Sequence, residues 1–349
     1  PNPVDGTVDI EYRVEEKPSD QVELSGGWGG GRIVGTLGLS FNNFSMKNIF
    51  RPDAWSPLPT GDGQKFSIRA QTNGVYYQSY NLSFTEPWLG GKKPNSLSVS
   101  AFFSMFNTTG AKKYVNDTEG NKIINPNRST MKIIGGSVGF GKRLKKPDDF
   151  FSVYTEASYN YYELQNYPYF ILANGYANDF NGKINITRNS VDAPIFPKNG
   201  SNFSLLGQFT PPYSLFNGKN YETATTAEKF KFIEYQKYKF TAEWYTQLTN
   251  KKAGEGKEAR NLVLRTKIGY GILGVYNKKV GVSPFERYYM GGSGLSGYQN
   301  FVAREIIALR GYTDNSLSST SGDPLCARYT MELRYPISLN PQATIFVLG

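Results

Sequence analysis

Few residues of this chain have side chains suited to catalysis. Its 349 residues include no histidine and a single cysteine, Cys326. This composition excludes a serine or cysteine nucleophile that relies on a histidine base, a histidine-ligated zinc site and a disulfide within these residues. No other catalytic constellation is present in the sequence. We therefore predict that the protein is not an enzyme, with no catalytic residue, no metal site and no cofactor.

One arginine is notable for its neighbours. Arg310 lies in the stretch ALRGYTDN, with Leu309 before it and the pair Gly311 and Tyr312 after it. A guanidinium can bind a carboxylate through two parallel hydrogen bonds, and it keeps its charge where water is partly excluded. This chemistry would hold a segment in place, so the role of Arg310 depends on the elements around it.

The charge of the chain does not indicate a nucleic-acid partner. The formal net charge is +10, from 39 Lys and Arg against 29 Asp and Glu. The basic residues are dispersed along the sequence, with only short pairs such as Lys145 and Lys146. Because neither a long basic run nor a nucleic-acid-binding motif is present, we expect no nucleic acid among the partners.

Several segments alternate between apolar and polar residues, which is the period of a β-strand. They include Ser96–Phe106 (SLSVSAFFSMF), Lys239–Leu248 (KFTAEWYTQL) and Ala327–Tyr335 (ARYTMELRY). In the last of these, the polar face carries Glu332 between arginines, and the opposite face is apolar. Such a polar face would be costly in the dry core of a sandwich, but it suits a water-filled interior.

The connectors between these segments are of two kinds, short turns rich in proline and longer polar loops. Their alternation is typical of an up-and-down barrel whose two rims face different compartments. No run of about eighteen or more apolar residues is present, which excludes a membrane-spanning helix. We predict an all-β fold, a transmembrane antiparallel up-and-down β-barrel with about thirteen strands in this chain. An extracellular β-sandwich or adhesin is the alternative.

The first residues differ from the rest of the chain. The segment Thr7–Pro18 (TVDIEYRVEEKP) is typical of one charged strand that ends at a proline and could close a preceding soluble module. We place a domain boundary after residue 19. The segment Val22–Trp28 is typical of a first barrel strand weakened by glycine, which costs about 0.5 to 1 kcal/mol per residue relative to alanine. A loop after Leu24 is the alternative.

Three stretches resemble a known family. Residues 8–29 (VDIEYRVEEKPSDQVELSGGWG) are similar to the junction between a last periplasmic POTRA domain and a first barrel strand. Residues 288–299 (YYMGGSGLSGYQ) are similar to the start of a sixth extracellular loop, and residues 309–312 (LRGY) to the tip motif of that loop. The chain thus resembles the BamA family of outer-membrane protein assembly factors, in the form found in Bacteroidetes, within the outer-membrane barrel assembly and translocation superfamily.

This resemblance implies domain bounds and candidate residues. Residues 1–19 would be the end of the last POTRA domain. Residues 20–349 would be a barrel of about sixteen strands without its last strands, with a large loop at 277–323 that folds into the lumen. The candidate residues of the loop start are Gly291, Gly292, Gly297 and Tyr298. The candidate lateral seam consists of Val22, Glu23, Leu24, Ser25, Gly26, Gly27 and Trp28.

The resemblance also implies a role for the loop tip. The tip motif consists of Leu309, Arg310, Gly311 and Tyr312. Its arginine would meet an acidic residue of the inner wall, and Glu332 stands at the matching position. The glycine would give the tip backbone freedom, and the tyrosine would rest against the wall. The alternative is that Arg310 is solvated and that Glu332 pairs only with Arg328 and Arg334.

The function implied by the resemblance is that of the central subunit of the outer-membrane barrel assembly machinery. It would fold and insert β-barrel proteins through a weak lateral seam, by β-augmentation. The implied partners are unfolded outer-membrane β-barrel proteins, accessory lipoproteins of the assembly complex, outer-membrane lipid and lipopolysaccharide, and the implied location is the bacterial outer membrane. The alternatives are a two-partner-type secretion pore, a TamA-like translocation pore and a passive porin.

Overall fold

The structure of the chain is a computed structural model that describes residues 11, 20–29, 32–55, 58–91, 94–168, 172–249, 260–292, 303–339 and 342–349. The segment predicted to end a POTRA domain, residues 1–19, lies outside the described residues except for Glu11. Gly297 and Tyr298 of the predicted loop start also lie outside them. No helix in the described ranges is long and apolar enough to cross a membrane.

The described residues are mostly β-strand. In chain order, the strands are β1 (Gln21–Gly29), β2 (Arg32–Phe44), β3 (Gln64–Thr72), β4 (Tyr77–Glu86), β5 (Asn95–Asn107), β6 (Tyr114–Asn116), β7 (Lys122–Ile124), β8 (Thr130–Arg143), β9 (Phe151–Gln165), β10 (Gly175–Asn189), β11 (Gly200–Phe209), β12 (Gln236–Gln247), β13 (Val263–Gly274), β14 (Arg287–Met290), β15 (Arg304–Ile307), β16 (Leu325–Leu339) and β17 (Gln342–Leu348). Two short helices, α1 (Tyr213–Phe216) and α2 (Thr226–Lys229), and two 3-10 turns (Met46–Asn48 and Pro52–Ala54) lie in the connections.

Thirteen strands form one sheet, in the order β1-β2-β3-β4-β5-β8-β9-β10-β11-β12-β13-β16-β17. Every neighbouring pair in this sheet is antiparallel. The predicted all-β fold with antiparallel up-and-down strands is confirmed, and the thirteen strands of this sheet agree with the predicted number. Within the described residues, β1 and β17 are the two edges of the sheet. The remaining strands form an antiparallel hairpin, β6–β7, and a parallel pair, β14–β15.

The long strands have an apolar outer face and a polar inner face. On β16, Tyr329 and Met331 are 62% and 57% exposed, whereas Thr330 and Glu332 are 7% and 5% exposed. Outward aromatic rings pair across strands, as for Tyr270 and Tyr329, whose centroids are 5.8 Å apart. The alternation predicted for this segment is therefore confirmed, and its polar face lines the interior.

The connections differ between the two ends of the sheet. At one end, the loop rim, lie the long connections 108–129, 210–235 and 275–324. At the other end, the turn rim, most connections are short, but 45–63 contains both 3-10 turns. Because consecutive strands are antiparallel neighbours, β1 begins at the turn rim and ends at the loop rim.

The apolar core lies inside the barrel, near the loop rim. Residues of the connections 166–174 and 210–235 take part in it. The core joins inward residues of the wall to the connection 275–324, and it consists of Met131, Ile133, Tyr162, Leu164, Tyr167, Leu172, Ala177, Ile233, Tyr235, Leu273, Phe285, Tyr288 and Ala303. The last three belong to the connection. Apolar residues on an otherwise polar inner face thus mark the place where the connection packs on the wall.

Candidate functional site

Strand β1 is the first candidate site. The predicted seam residues Val22–Trp28 all lie within it, so the alternative of a loop after Leu24 is wrong. β1 pairs with β2 along its whole length, from Gln21 opposite Ser40 to Gly29 opposite Arg32. In the described part of the chain, no strand lies beside its other edge. That edge presents backbone N–H and C=O groups with which another strand can pair.

Side-chain contacts between β1 and β2 are sparse. Four register pairs include a glycine, namely Glu23↔Gly38, Gly26↔Gly35, Gly27↔Val34 and Gly29↔Arg32. Facing side chains on neighbouring strands normally stabilise a sheet by about 0.2 to 1 kcal/mol per pair. The pair of Gly26 and Gly35 lacks such a contact, and a Cβ at either position would meet nothing within 4 Å. Facing side chains therefore contribute to the attachment of β1 at only five of its nine register pairs.

One ion pair crosses the seam. Glu23 Oε1 on β1 lies 2.9 Å from Arg69 Nη2 on β3. Gly38 of β2 stands between them in register, and a Cβ there would lie 3.2 Å from the Glu23 side chain. The missing side chain at Gly38 thus leaves room for Glu23 to reach β3. Both charged groups are about half exposed, at 48% for Glu23 and 55% for Arg69, and such pairs contribute about 0 to 1 kcal/mol.

The connection 275–324 is the second candidate site, and it contains the predicted loop 277–323. Within it, β14 and β15 pair in parallel along all of their residues. The residues that precede these strands, Glu286 and Ala303, both have positive φ, 65° and 74°. Glu286 N donates to Ala303 O at 2.7 Å. A non-glycine residue in this conformation costs about 1 to 3 kcal/mol, so other contacts must hold this part of the connection.

The structure brings the predicted loop start and loop tip together. Leu309 N donates to Gly292 O at 2.9 Å, and Gly292 N donates to Tyr312 O at 3.1 Å. Gly292 has a φ of 84°, and a Cβ there would collide with the side chain of Asp314. Gly311 has a φ of 91°, but a Cβ there would meet nothing within 4 Å. Close approach requires glycine at the first position, and backbone conformation alone favours it at the second.

Aromatic residues of the connection pack on the inner wall. The ring centroids of Phe285 and Tyr162 on β9 are 4.7 Å apart. The ring of Tyr288 lies against Gly271 on β13, where a Cβ would come within 2.5 Å of Tyr288 Cζ. Phe285, Tyr288 and Tyr162 are each 1% exposed. These contacts exclude water from the part of the lumen next to β9 and β13.

A buried lysine anchors the connection to the wall. Lys237 Nζ on β12 lies 2.8 Å from Glu286 Oε2 and 2.6 Å from Glu305 Oε2. The Lys237 side chain is 2% exposed, and its Nζ lies 5.0 Å from the centroid of the Tyr288 ring. Lys239, the next inward residue of β12, also pairs with Glu305. Two glutamates of the connection thus meet two lysines of the wall, and we call these four residues the loop anchor.

Charges within the loop anchor compensate one another. Burial opposes ionisation of Glu305, but the attraction of Lys237 and Lys239 outweighs it and holds the pKa of this carboxyl below its ordinary value of 4.5. Removal of one partner of a buried ion pair leaves an uncompensated charge, which costs about 3 to 5 kcal/mol. Removal of a single charge from the anchor should therefore destabilise it.

Glu332, the predicted partner of Arg310, is paired within the wall. Its carboxylate accepts hydrogen bonds from Arg265 Nη1 at 2.9 Å and from Arg334 Nε at 2.6 Å. Arg310 is exposed, and no hydrogen bond or ion pair between described residues joins it to Glu332. Two guanidinium groups thus bind the carboxylate, and its contact with Arg310 stays a prediction. The same holds for a bracing role of Arg310.

Sequence reasoning missed the loop anchor and the second arginine at Glu332. Lys239 was placed on the polar face of a strand, but no motif distinguishes it or Lys237 from other inward lysines. Arg265 lies opposite Glu332 in the register of β13 and β16. These residues could be identified only from the pairing register between strands that are distant in sequence. The alternation within a single strand does not contain this information.

Comparison with known proteins identifies the family of this barrel. Residues 60–348 match a family model described as the Omp85 superfamily domain. The fold is similar to the crystal structure of BamA from Haemophilus ducreyi lacking POTRA domains 1-3, with a TM-score of 0.61 and 18% sequence identity. The match covers 96% of this chain and 57% of that chain, so this chain spans a little more than half the length of that BamA. None of the curated proteins compared matches the sequence significantly.

The family match and the fold agree with each other. The matched residues include every strand from β3 to β17, together with the connection 275–324 and its anchor on β12. The similarity to the BamA structure covers 96% of the chain. The chain therefore belongs to the Omp85 superfamily.

Proposed function

We propose that this chain is the membrane barrel of the central subunit of an outer-membrane barrel assembly machinery. It folds and inserts other β-barrel proteins through β1, by β-augmentation, without a chemical step or an energy cofactor. Its clients are unfolded outer-membrane β-barrel proteins. It acts in the bacterial outer membrane, in contact with lipid and lipopolysaccharide, together with accessory lipoproteins. Membership of the Omp85 superfamily and the fold shared with a BamA support this proposal.

The observation that carries the proposal is the state of β1. Its outer face is strongly exposed, with Val22, Leu24 and Trp28 at 74%, 83% and 74%. Glycine takes part in four of its nine register pairs with β2, and its other edge would be offered to a client strand. Water cannot satisfy backbone groups in hydrocarbon, and each unsatisfied group costs several kcal/mol there. A client strand that pairs with this edge removes that cost, so pairing is strongly favoured.

The loop anchor complements this role. It fixes the connection 275–324 to β12 and, through the aromatic contacts, to β9 and β13. That part of the wall stays closed while β1 and β2 separate or bend. The packed connection also obstructs the lumen near the loop rim, which opposes a function as an open porin. We therefore expect only small and intermittent conductance in single-channel recording.

Depletion of the protein in its host tests the proposed function. If it assembles barrels, many unrelated β-barrel proteins should disappear from the outer membrane together. Loss of one secreted protein, with barrels unchanged, would instead indicate a secretion or translocation pore. A large steady conductance with no assembly defect would indicate a porin.

A proline scan of β1 tests the role of its free edge. Proline removes one backbone N–H, and in a strand successive N–H groups point to opposite edges. Substitutions along residues 22–26 should therefore alternate in effect. Every second proline should weaken pairing with β2 and destabilise the barrel, whereas the others should leave the barrel folded but unable to assemble clients. A scan in which assembly never fails without loss of folding would contradict the proposal.

A further inference from the structure

The connection 45–63, between β2 and β3, lies at the turn rim, and we call its described residues, 45–55 and 58–63, the finger. Four hydrogen bonds close its base and its middle: Ser45 N to Pro59 O at 2.8 Å, Met46 N to Gln64 Oε1 at 2.7 Å, Asn48 Nδ2 to Thr60 O at 2.9 Å and Trp55 Nε1 to Ile49 O at 3.2 Å. These bonds link residues far apart along the finger. Its shape is therefore held by internal hydrogen bonds as well as by its attachment to β2 and β3.

Large apolar side chains project from the finger. Phe50, in the turn that follows the first 3-10 helix, is 93% exposed. Met46 is 47% exposed and Trp55 is 46% exposed. Several exposed large apolar side chains on one short, hydrogen-bonded segment are typical of a site of protein or membrane contact.

The base of the finger lies on the outer face of the barrel. Phe44, which precedes the finger, is 6% exposed, and its ring stacks on that of Phe66 at 5.1 Å between centroids. Phe66 pairs in register with Phe84, two positions from Ile68 and Leu82. These last two residues are 43% and 42% exposed and belong to the outer face. The finger therefore continues from the lipid-facing side rather than from the lumen.

The height of the finger matches the edge of the apolar band. Outward residues of β2 run from Ile33 to Phe41, a distance of about 26 Å at ~3.3 Å per residue. A strand tilt of about 40° reduces this to roughly 20 Å along the membrane normal, close to the ~25 Å of a typical barrel band. Phe44 lies just past this band, so the finger starts where hydrocarbon gives way to headgroups. Aromatic residues are enriched at that level in membrane proteins.

We infer that the finger is a membrane anchor whose apolar tip, Phe50 with Met46, inserts between the phospholipid headgroups of the leaflet at the turn rim. Lys47 and Arg51 flank the tip and are exposed, Lys47 at 82% with a long ion pair of 3.7 Å to Asp62. Both cations can reach lipid phosphates while the apolar tip enters the acyl boundary. The finger adjoins β2, the partner of the seam strand, and thereby fixes the foot of the seam in the leaflet.

This inference goes beyond the proposed function and is tested separately from it. It requires a bilayer against the outer face, but it does not require that the protein assemble other barrels. A finger found in lipid, in a protein whose depletion spares other barrels, would keep the inference and overturn the proposed function. A finger found in water, in a protein needed for assembly, would do the reverse.

The test is the position of a fluorescent label on the finger of the full chain in lipid nanodiscs. Phe50→Cys is made in a Cys326→Ser background and labelled with nitrobenzoxadiazole, in nanodiscs of phosphatidylethanolamine and phosphatidylglycerol. Glu119→Cys, at the exposed turn of the β6–β7 hairpin on the loop rim, is the matched control. Quenching by iodide reports contact with water, and quenching by lipids spin-labelled near the headgroup reports contact with the bilayer.

The label at Phe50 should be protected from iodide about threefold relative to Glu119 and strongly quenched by the spin-labelled lipid, as expected for an interfacial side chain. A label at Met46→Cys should behave in the same way. Equal iodide quenching at Phe50 and Glu119 would overturn the inference. Protection from iodide without quenching by lipid would also overturn it, because the tip would then lie against protein, either another part of this chain or a partner subunit.

Discussion

The seam and the loop-packed wall use the same alternating strand pattern, but they are held in different ways. At the seam, glycines take part in four of the register pairs between β1 and β2, and one half-exposed ion pair links Glu23 to Arg69. At the wall, the connection 275–324 covers inward residues of β8, β9, β10 and β13 with a core that contains fully buried aromatic rings. Backbone pairing is similar in both places, and the side chains make the difference.

This difference shows how one sheet can be rigid along much of its width and weak at one edge. Cross-strand side-chain pairs and burial stabilise strand pairing, and the seam lacks much of both. The loop anchor and the aromatic contacts supply them to the wall. Local opening of β1 therefore needs much less free energy than separation of β12 from β13, although the hydrogen-bond ladders are alike.

Substitution of Lys237 should have the largest effect on the difference in stability between the wall and the seam. In Lys237→Met, Glu286 and Glu305 keep their charges without the buried ammonium between them, so the free energy of unfolding in detergent micelles should fall by about 3 to 5 kcal/mol. Lys132→Met is the control, because its ion pair with Glu163 is more exposed and should contribute about 0 to 1 kcal/mol.

A neutral partner should restore the wall. Adding Glu286→Gln to Lys237→Met removes the uncompensated charge and leaves the pair of Lys239 and Glu305 in place, so part of the lost stability should return. Equal losses of unfolding free energy in Lys237→Met and Lys132→Met would mean that the loop anchor does not stabilise the wall. The wall would then be stabilised by its aromatic contacts alone.

A methyl group at Gly292 should loosen the loop without touching the sheet. Gly292→Ala forces a Cβ against Asp314 at a positive φ, and we expect a destabilisation of about 1 to 3 kcal/mol, seen as faster protease cleavage within 275–324. Gly311→Ala shares the positive φ but has open space around it, so its cleavage rate should change less. Similar rates in both variants would mean that the close approach at Gly292 is unimportant.

Acid should release the loop from the wall. The pKa of Glu305 is lowered, so its pairing contributes fully at and above its ordinary value of 4.5 and is lost as pH falls through the lower value of the folded state. Protease cleavage of 275–324 should therefore be unchanged from neutral pH down to about pH 4.5 and should rise below it. In Lys237→Met, protease cleavage of 275–324 should be fast already at neutral pH. Release of the wild-type loop above about pH 4.5 would contradict the role of Glu305 in the loop anchor.

Filling the seam should have a small effect on stability and a selective effect on assembly. Gly26→Ala adds a side chain where a Cβ meets nothing within 4 Å, and it should stabilise β1 by about 0.5 to 1 kcal/mol. Gly269→Ala on β13 is the matched control, since the nearest atom to its Cβ would be 4.0 Å away. Only the seam variant should slow client assembly in proteoliposomes. Equal rates of client assembly in both variants would mean that assembly does not depend on the weak attachment of β1 to β2.

Much of the fold follows from features local in sequence. Alternation in segments such as Ala327–Tyr335 determines which side chains face outward, because the period of a strand is independent of its partners. The number of strands and the two kinds of connector follow from the same signal together with proline and glycine. The position of β1 across its glycines was also predicted, from the resemblance of residues 8–29 to the junction with a first barrel strand.

The site was less predictable, because it depends on contacts between distant strands. Glu332 was placed correctly on the inner face, but its partner Arg265 became identifiable only from the register of β13 with β16. The loop anchor joins residues about fifty to seventy positions apart, and the separation of charges along the chain gives no indication of this. The finger has no alternation at all, and its exposed Phe50 gains meaning only from the outward position of its base.

The most direct test of the central claim is disulfide crosslinking between the seam and a client during assembly. Leu24→Cys on β1 and Leu37→Cys on β2 are register partners on the outer face, and both are made in a Cys326→Ser background. A client with one cysteine in its terminal strand is added in each case. If β1 takes up the client by strand pairing, Leu24→Cys should crosslink at a defined register while assembly proceeds, and Leu37→Cys, flanked by β1 and β3, should not. Equal crosslinking at both positions, or none at Leu24→Cys in an active protein, would contradict the account.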